Sequence, residues 1–319
     1  MTLEYQPVRI YRGGILWNLA FTYNAIPTHT LTGLSPVDPY FTPAILAVTF
    51  AVNRQYLKDL GGFSTSMRIW GGEDVELSIK VWLCGGRLLI CPCSRVGHIF
   101  KKDHVYKINP EEVNGNLVQI AETWLGSHKN YFYAVTGGTL KRMKIHVGSI
   151  EESNSVKQKF KCMPFEWYIE KVFPELGVPP PDAIYFGPLG SDGGFCLGIK
   201  TDIYNVLGIF NCISYMSKNF ALMKSGELRM ENHCVVPEAK QLKLTGCNGS
   251  NYAKWSYEDG KLSYNKKICI DIERKKELKI VKCKNSISIA KWEFRYRLIN
   301  NRKRQSKLYK SKYSVKDQK

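Results

Sequence analysis

The chain has 319 residues, 44% of them hydrophobic and 12% aromatic, enough apolar material for one or two packed cores and too much for a disordered polypeptide. Its formal charge of +18 raises nucleic acid as a partner, but Asn301 to Lys319 alone holds +7 of it, eight basic residues against Asp317. The rest is spread thinly with no recognisable nucleic-acid module, so the expectation is no nucleic-acid partner and a solvated, disordered basic tail over 301–319.

No run approaches the roughly 20 apolar residues of a membrane span. Met1 to Val8 lacks the basic-then-apolar pattern of a signal peptide. Neither a signal nor a transmembrane segment is therefore expected within these residues.

In chain order, Ala47 to Val52 is a short apolar run rich in β-branched and aromatic residues and predicts a buried strand. From Glu73 to Leu83 an acidic start, apolar Val75, Ile79 and Trp82 at helical spacing and Gly85-Gly86 just beyond predict a helix. Arg87 to Cys91 reads as another strand. Leu117, Ile120, Ala121, Trp124 and Leu125 make one apolar stripe and predict a second helix. Mixed strands and helices predict an α/β domain over 1–176.

Gly177-Val178-Pro179-Pro180-Pro181 cannot continue a helix and marks a linker. Beyond it, short β-type runs and turn residues such as Asn248-Gly249 and Asp259-Gly260 predict a small all-β domain over 184–298. Six of the ten cysteines fall there in close pairs: Cys196 with Cys212, Cys234 with Cys247, and Cys269 with Cys283. That regularity reads as disulfides and so as an oxidising compartment; the plainer alternative is unrelated buried thiols in a cytosolic protein. Asn219-Phe220, Lys254-Trp255 and Lys291-Trp292 follow the three pairs in turn, which an internal threefold repeat explains.

Trp70-Gly71-Gly72-Glu73-Asp74-Val75-Glu76-Leu77-Ser78, continuing through Trp82-Leu83-Cys84-Gly85-Gly86 to Pro92-Cys93-Ser94-Arg95-Val96-Gly97-His98-Ile99-Phe100-Lys101-Lys102, resembles the most distinctive block of the polypeptide N-acetylgalactosaminyltransferases. Gly14, Trp17-Asn18-Leu19, Tyr131-Phe132-Tyr133, Lys161-Cys162 and Phe165-Glu166-Trp167-Tyr168 extend the match. Cys196-Leu197, Cys269-Ile270-Asp271 and the Lys-Trp pairs resemble the ricin-type lectin domain that ends most members. The resemblance implies a partial GT-A glycosyltransferase domain followed by a ricin-type β-trefoil. It implies an activity in mucin-type O-glycosylation: transfer of N-acetylgalactosamine from UDP-GalNAc to Ser or Thr of acceptor proteins, with Mn²⁺, in the Golgi. A lectin domain of this kind implies GalNAc-bearing glycoproteins as further partners.

By position in that family, Glu73 matches the acidic residue at the reacting centre and Trp70 the loop tryptophan near the donor. Lys101, His104 and Tyr106 match residues that cover the diphosphate, His98 the last metal ligand, and Trp17 and Phe100 acceptor-peptide contacts. A departing diphosphate needs such cations and donors to take its developing charge. Plainer readings stand beside these: core aromatics for the tryptophans, a helix-start carboxylate for Glu73, and a structural histidine at 98. The family also pairs the cysteines matching Cys84 and Cys162, and pairs the one matching Cys93 with a residue this chain lacks, leaving Cys91 and Cys93 over.

The family's Asp-x-His metal motif occurs nowhere in the sequence, and such a cation wants about six ligands. The expectation is a truncated or degenerate relative, inactive as this chain and without bound Mn²⁺; the alternative is a non-catalytic, carbohydrate-binding lectin-like pseudoenzyme. Of the three repeats, where the lectin fold expects an Asp, the first has Gly198 and the second Val236. Only the third keeps Asp271, with Asn285 as its polar partner. Weak sugar binding there and three purely structural repeats are both open readings.

Overall fold

The computed structural model describes residues 10–45, 49–97, 108–136, 140, 147–200, 205–212, 218–247, 254–272, 277–283 and 290–298. The basic tail lies outside them.

The first part is mixed, as the sequence predicts. Strand β1 (Arg12–Ile15) pairs antiparallel with β2 (Phe21–Asn24), and β3 (Tyr40–Phe41) with β4 (Leu89–Ile90). Helices α1 (Thr28–Leu31), α2 (Arg54–Asp59), α3 (Glu73–Leu83), α4 (Pro110–Trp124), α5 (Lys129–Val135), α6 (Val147–Phe160) and α7 (Phe165–Trp167) fill the rest. Helix α3 runs over the residues its sequence signals bracket, and Val75, Ile79 and Trp82 are buried. The strand expected at Ala47 to Val52 is not there in its described part. Residues 49–52 are exposed and irregular, and they lead to Asn53, whose side chain accepts the Tyr56 N–H at 2.9 Å and caps α2. An apolar run with no sheet neighbour to pair with gives way to the helix cap that follows it.

From Ala183 on, the described residues are all β, and among them twelve strands fall into three sets of four. The first is β5 (Ala183–Ser191), β6 (Phe195–Ile199), β7 (Leu207–Asn211) and β8 (Asn219–Met223). The second is β9 (Leu228–Met230), β10 (His233–Glu238), β11 (Gln241–Gly246) and β12 (Trp255–Glu258). The third is β13 (Lys261–Tyr264), β14 (Ile268–Ile272), β15 (Leu278–Lys282) and β16 (Trp292–Arg297). In every set the middle two strands pair as an antiparallel hairpin, and β16 pairs with β5 so that the last set closes on the first.

The repeat extends to hydrogen bonds. The Trp255 indole N–H donates to the Val235 carbonyl at 2.8 Å and that of Trp292 to the Ile270 carbonyl at 3.0 Å, each acceptor being the residue after the first cysteine of its pair. Phe220 fills the matching place in the first set, fully buried and without an N–H to give. This is a β-trefoil. Disulfides Cys196–Cys212, Cys234–Cys247 and Cys269–Cys283 staple its hairpins, and Cys84–Cys162 ties α3 to the end of α6.

Cys91 and Cys93 are exposed and unpaired. A maleimide added to the native, unreduced protein is expected to label these two alone, with the other eight appearing only after reduction. Labelling of any of the eight before reduction would refute the pairing.

The two parts pack on each other. Ala183, Phe186, Ala221, Met223, Tyr296 and Leu298 of the trefoil belong to the same apolar core as α3, α4 and α5. The Asn219 side chain donates to the carbonyls of Glu175 and Leu176, and the Arg12 guanidinium, nearly buried, meets Glu175 at 2.7 Å. The segment just before the Gly177 to Pro181 linker is thereby held between β1 and the trefoil.

Candidate functional site

The acidic helix α3 begins at a loop with little freedom. Gly71 and Gly72 have φ of 103° and 94°, values at which only glycine is unstrained. Both also lie against α4: a Cβ on Gly71 would stand 3.0 Å from Val113 and one on Gly72 2.9 Å from Ile120. Asn116 of α4, buried, fastens the same loop. Its side-chain carbonyl accepts the Arg68 N–H at 2.8 Å, while its amide donates to the carbonyls of Arg68 and Gly71 at 2.9 Å each.

Glu73 closes the loop from the other side, with Oε2 accepting the Gly71 N–H at 2.6 Å. Its carboxylate sits at the positive end of α3, where a negative charge is favoured. Trp70, between Ile69 and Gly71, is 36% exposed, so the loop presents an indole and a carboxylate on a backbone that is clamped at three points.

Asn116 was missed by sequence reasoning. The available signal is an amide among the apolar residues of the α4 stripe, a position that demands a hydrogen-bond partner once buried.

The other expected site residues are placed unequally. His98, Phe100, Lys101, His104 and Tyr106 lie outside the described residues, as does Asn285. Trp17 is 1% exposed, its N–H donating to the Gly177 carbonyl at 2.9 Å and its ring against Tyr131, Phe165 and His128. A ring so enclosed offers no face to a peptide in this structure; it is a core aromatic that pins the linker. Asp271, half-buried, accepts the N–H groups of Ile272 and Ala290 with Oδ1, at 2.8 Å each. One oxygen thus ties β14 to the start of the segment that leads into β16, and the other has no hydrogen bond among the described residues.

A model of the N-terminal domain of galactosyltransferase matches residues 29–105, the stretch that carries the Trp70 to Glu73 loop and α3. Polypeptide N-acetylgalactosaminyltransferase 5 of Rattus norvegicus is 31% identical over 311 residues, covering 89% of this chain and 32% of its own length. Probable N-acetylgalactosaminyltransferase 6 of Caenorhabditis elegans is 30% identical over 278 residues, covering 81% of this chain and 44% of its own.

Over most of its length the chain is similar to polypeptide N-acetylgalactosaminyltransferases.

It spans less than half the length of the curated relatives it matches. The crystal structure of GalNAc-T7 with UDP, GalNAc and Mn²⁺ superposes with a TM-score of 0.50 at 24% identity, over 89% of this chain and 55% of that one, which shows the fold. The Mn²⁺ in that structure raises the question of fit here. Among the described residues no three His, Cys, Asp or Glu side chains come together as a metal could use them, and the sequence has no Asp-x-His. His98, the residue matched to the family's last metal ligand, lies outside the residues so searched. Among them, too, no helix is long and apolar enough to cross a membrane.

Proposed function

We propose that this chain serves mucin-type O-glycosylation as the glycan- and acceptor-recognising part of a polypeptide N-acetylgalactosaminyltransferase, and that as it stands it does not transfer sugar. The division we adopt is a partial catalytic domain over 1–176 and a lectin domain over 184–298. The observation that carries the reading is the clamped Trp70 to Glu73 loop in a chain that also holds a disulfide-stapled trefoil and whose sequence has no Asp-x-His. In the whole transferase, UDP-GalNAc and Ser/Thr acceptor proteins are the substrates, and Mn²⁺ would neutralise the departing diphosphate. Four disulfides fit an oxidising lumen such as the Golgi.

Incubated with UDP-GalNAc, Mn²⁺ and Ser/Thr peptides, the chain is expected to yield no detectable glycopeptide. Mn²⁺-dependent turnover that disappears in Glu73→Gln would overturn this.

A second reading, a carbohydrate-binding pseudoenzyme, is favoured by Asp271, which among the described residues is held by Oδ1 alone. Two or three sugar hydrogen bonds of roughly 0.5–1.5 kcal/mol each imply a millimolar dissociation constant, about 4 kcal/mol. An NMR titration with N-acetylgalactosamine is expected to show binding at that level, abolished by Asp271→Ala. Binding that survives the substitution would move the site, and none at tens of millimolar would leave the repeats structural.

A further inference from the structure

The three hairpins β6–β7, β10–β11 and β14–β15 converge at one end of the trefoil. A cavity of about 360 Å³ opens between them, where Val206 to Phe210 of the first repeat, Lys240 to Leu242 of the second and Glu277 to Ile280 of the third come together. It is distinct from Asp271, and its chemistry is different.

The first repeat supplies the cavity's distinctive wall. Gly208 has no side chain, and a Cβ there would stand 3.0 Å from both Cγ and Cε of Lys200 and 3.5 Å from Phe210. The lysine stem and the phenyl edge therefore close over bare backbone. Phe210 is only half-buried, which leaves ring surface for an apolar ligand face.

The second repeat adds Lys240 from the two-residue turn between β10 and β11. Ala239 and Lys240 have φ of 47° and 64°, in the left-handed region. Such turns ordinarily take Asn-Gly, because other residues are strained there. The strained turn is kept, and it sets a cation at the rim. Opposite, the third repeat brings Glu277. Among the described residues, Lys200, Lys240 and Glu277 form no ion pair.

We propose that this axial cavity binds a pyranose carrying a negative charge, a carboxylate or sulfate, such as terminates acidic glycans. Lys200 and Lys240 take the anionic group, Phe210 stacks on the C–H face of the ring, and Gln241 and Glu277 accept or donate to hydroxyls. A volume of this order holds one or two sugar rings. Two cations against one carboxylate set the preference for an anionic over a neutral sugar. The site does not depend on the reading of Asp271.

The test uses the whole chain, titrated by NMR or calorimetry with N-acetylneuraminic acid, galactose 6-sulfate, galactose and inorganic sulfate. Binding of at least one acidic sugar is expected, weakening with added salt, with galactose and free sulfate at least tenfold weaker. Lys240→Glu, at an exposed turn that tolerates it, and Lys200→Ala should each weaken the acidic sugar at least fivefold, while Asp271→Ala leaves it in place. Phe210→Ala should weaken acidic sugar without changing the salt dependence. The proposal fails if no acidic sugar binds at 20 mM, if Lys240→Glu leaves the affinity unchanged, or if free sulfate binds as tightly as galactose 6-sulfate.

Discussion

Trp17→Ala is expected to destabilise the protein by about 3–5 kcal/mol, the usual cost of deleting a large aromatic from a packed core. The indole is 1% exposed, packs on Tyr131 and Phe165, and donates its N–H to the Gly177 carbonyl of the linker. Its backbone N–H also donates to the Tyr296 hydroxyl on the trefoil at 3.1 Å. The cavity would open where the two parts of the chain meet, so the loss should appear in urea unfolding as a lower midpoint and as an earlier separation of the trefoil. Trp17→Phe keeps most of the ring and loses the N–H bond, and should cost about 1–2 kcal/mol less than the alanine variant. An acceptor-peptide role, which the resemblance implies, makes the opposite forecast: unchanged stability with lost peptide binding.

That contrast shows what the sequence could carry. Helix α3 was legible to its end residues because glycines bracket it and its acidic start and apolar spacing agree. The trefoil was legible because three cysteine pairs with matching aromatic tails repeat a unit whose hydrogen bonds also repeat. The fate of Trp17 was not, since its partners Gly177 and Tyr296 stand 160 and 279 residues away. The Thr49 to Val52 stretch misled for a related reason: a β-type composition means little without a neighbouring strand. Asn116 falls between these cases, its burial foreseeable from the α4 stripe and its grip on the Arg68 to Gly71 backbone not. Local signals fixed elements; contacts between distant segments decided which side chains face a ligand.

The second large effect lies under the Trp70 to Glu73 loop, on the inner face of α3. Glu76 and Lys80, one turn apart and both buried, face each other at 3.3 Å. Lys80 also donates to the Gly62 carbonyl at 2.6 Å, and Glu76 Oε1 accepts the Trp124 indole N–H at 3.2 Å, while Oε2 is buried without a partner. Lys157 lies over the Trp124 ring and donates to the Thr123 carbonyl, and Glu152 adds a like charge nearby. Burial is the main force on Glu76 and raises its pKa, opposed by Lys80 and the Trp124 hydrogen bond. Removing one member of such a pair strands the other: Glu76→Ala or Lys80→Met should each cost about 3–5 kcal/mol. The joint Glu76→Leu, Lys80→Met variant should recover most of that loss, because no charge is left without its partner. The pH dependence carries its own sign. With the folded pKa above the unfolded one, the stability contributed by protonated Glu76 is fully present below the ordinary glutamate range and is lost as pH rises through the raised value. Glu76→Gln should flatten the stability profile across that window, as measured by urea unfolding at a series of pH values. A profile unchanged by the substitution would mean that the carboxyl titrates at its ordinary value, with Lys80 and the Trp124 hydrogen bond offsetting burial.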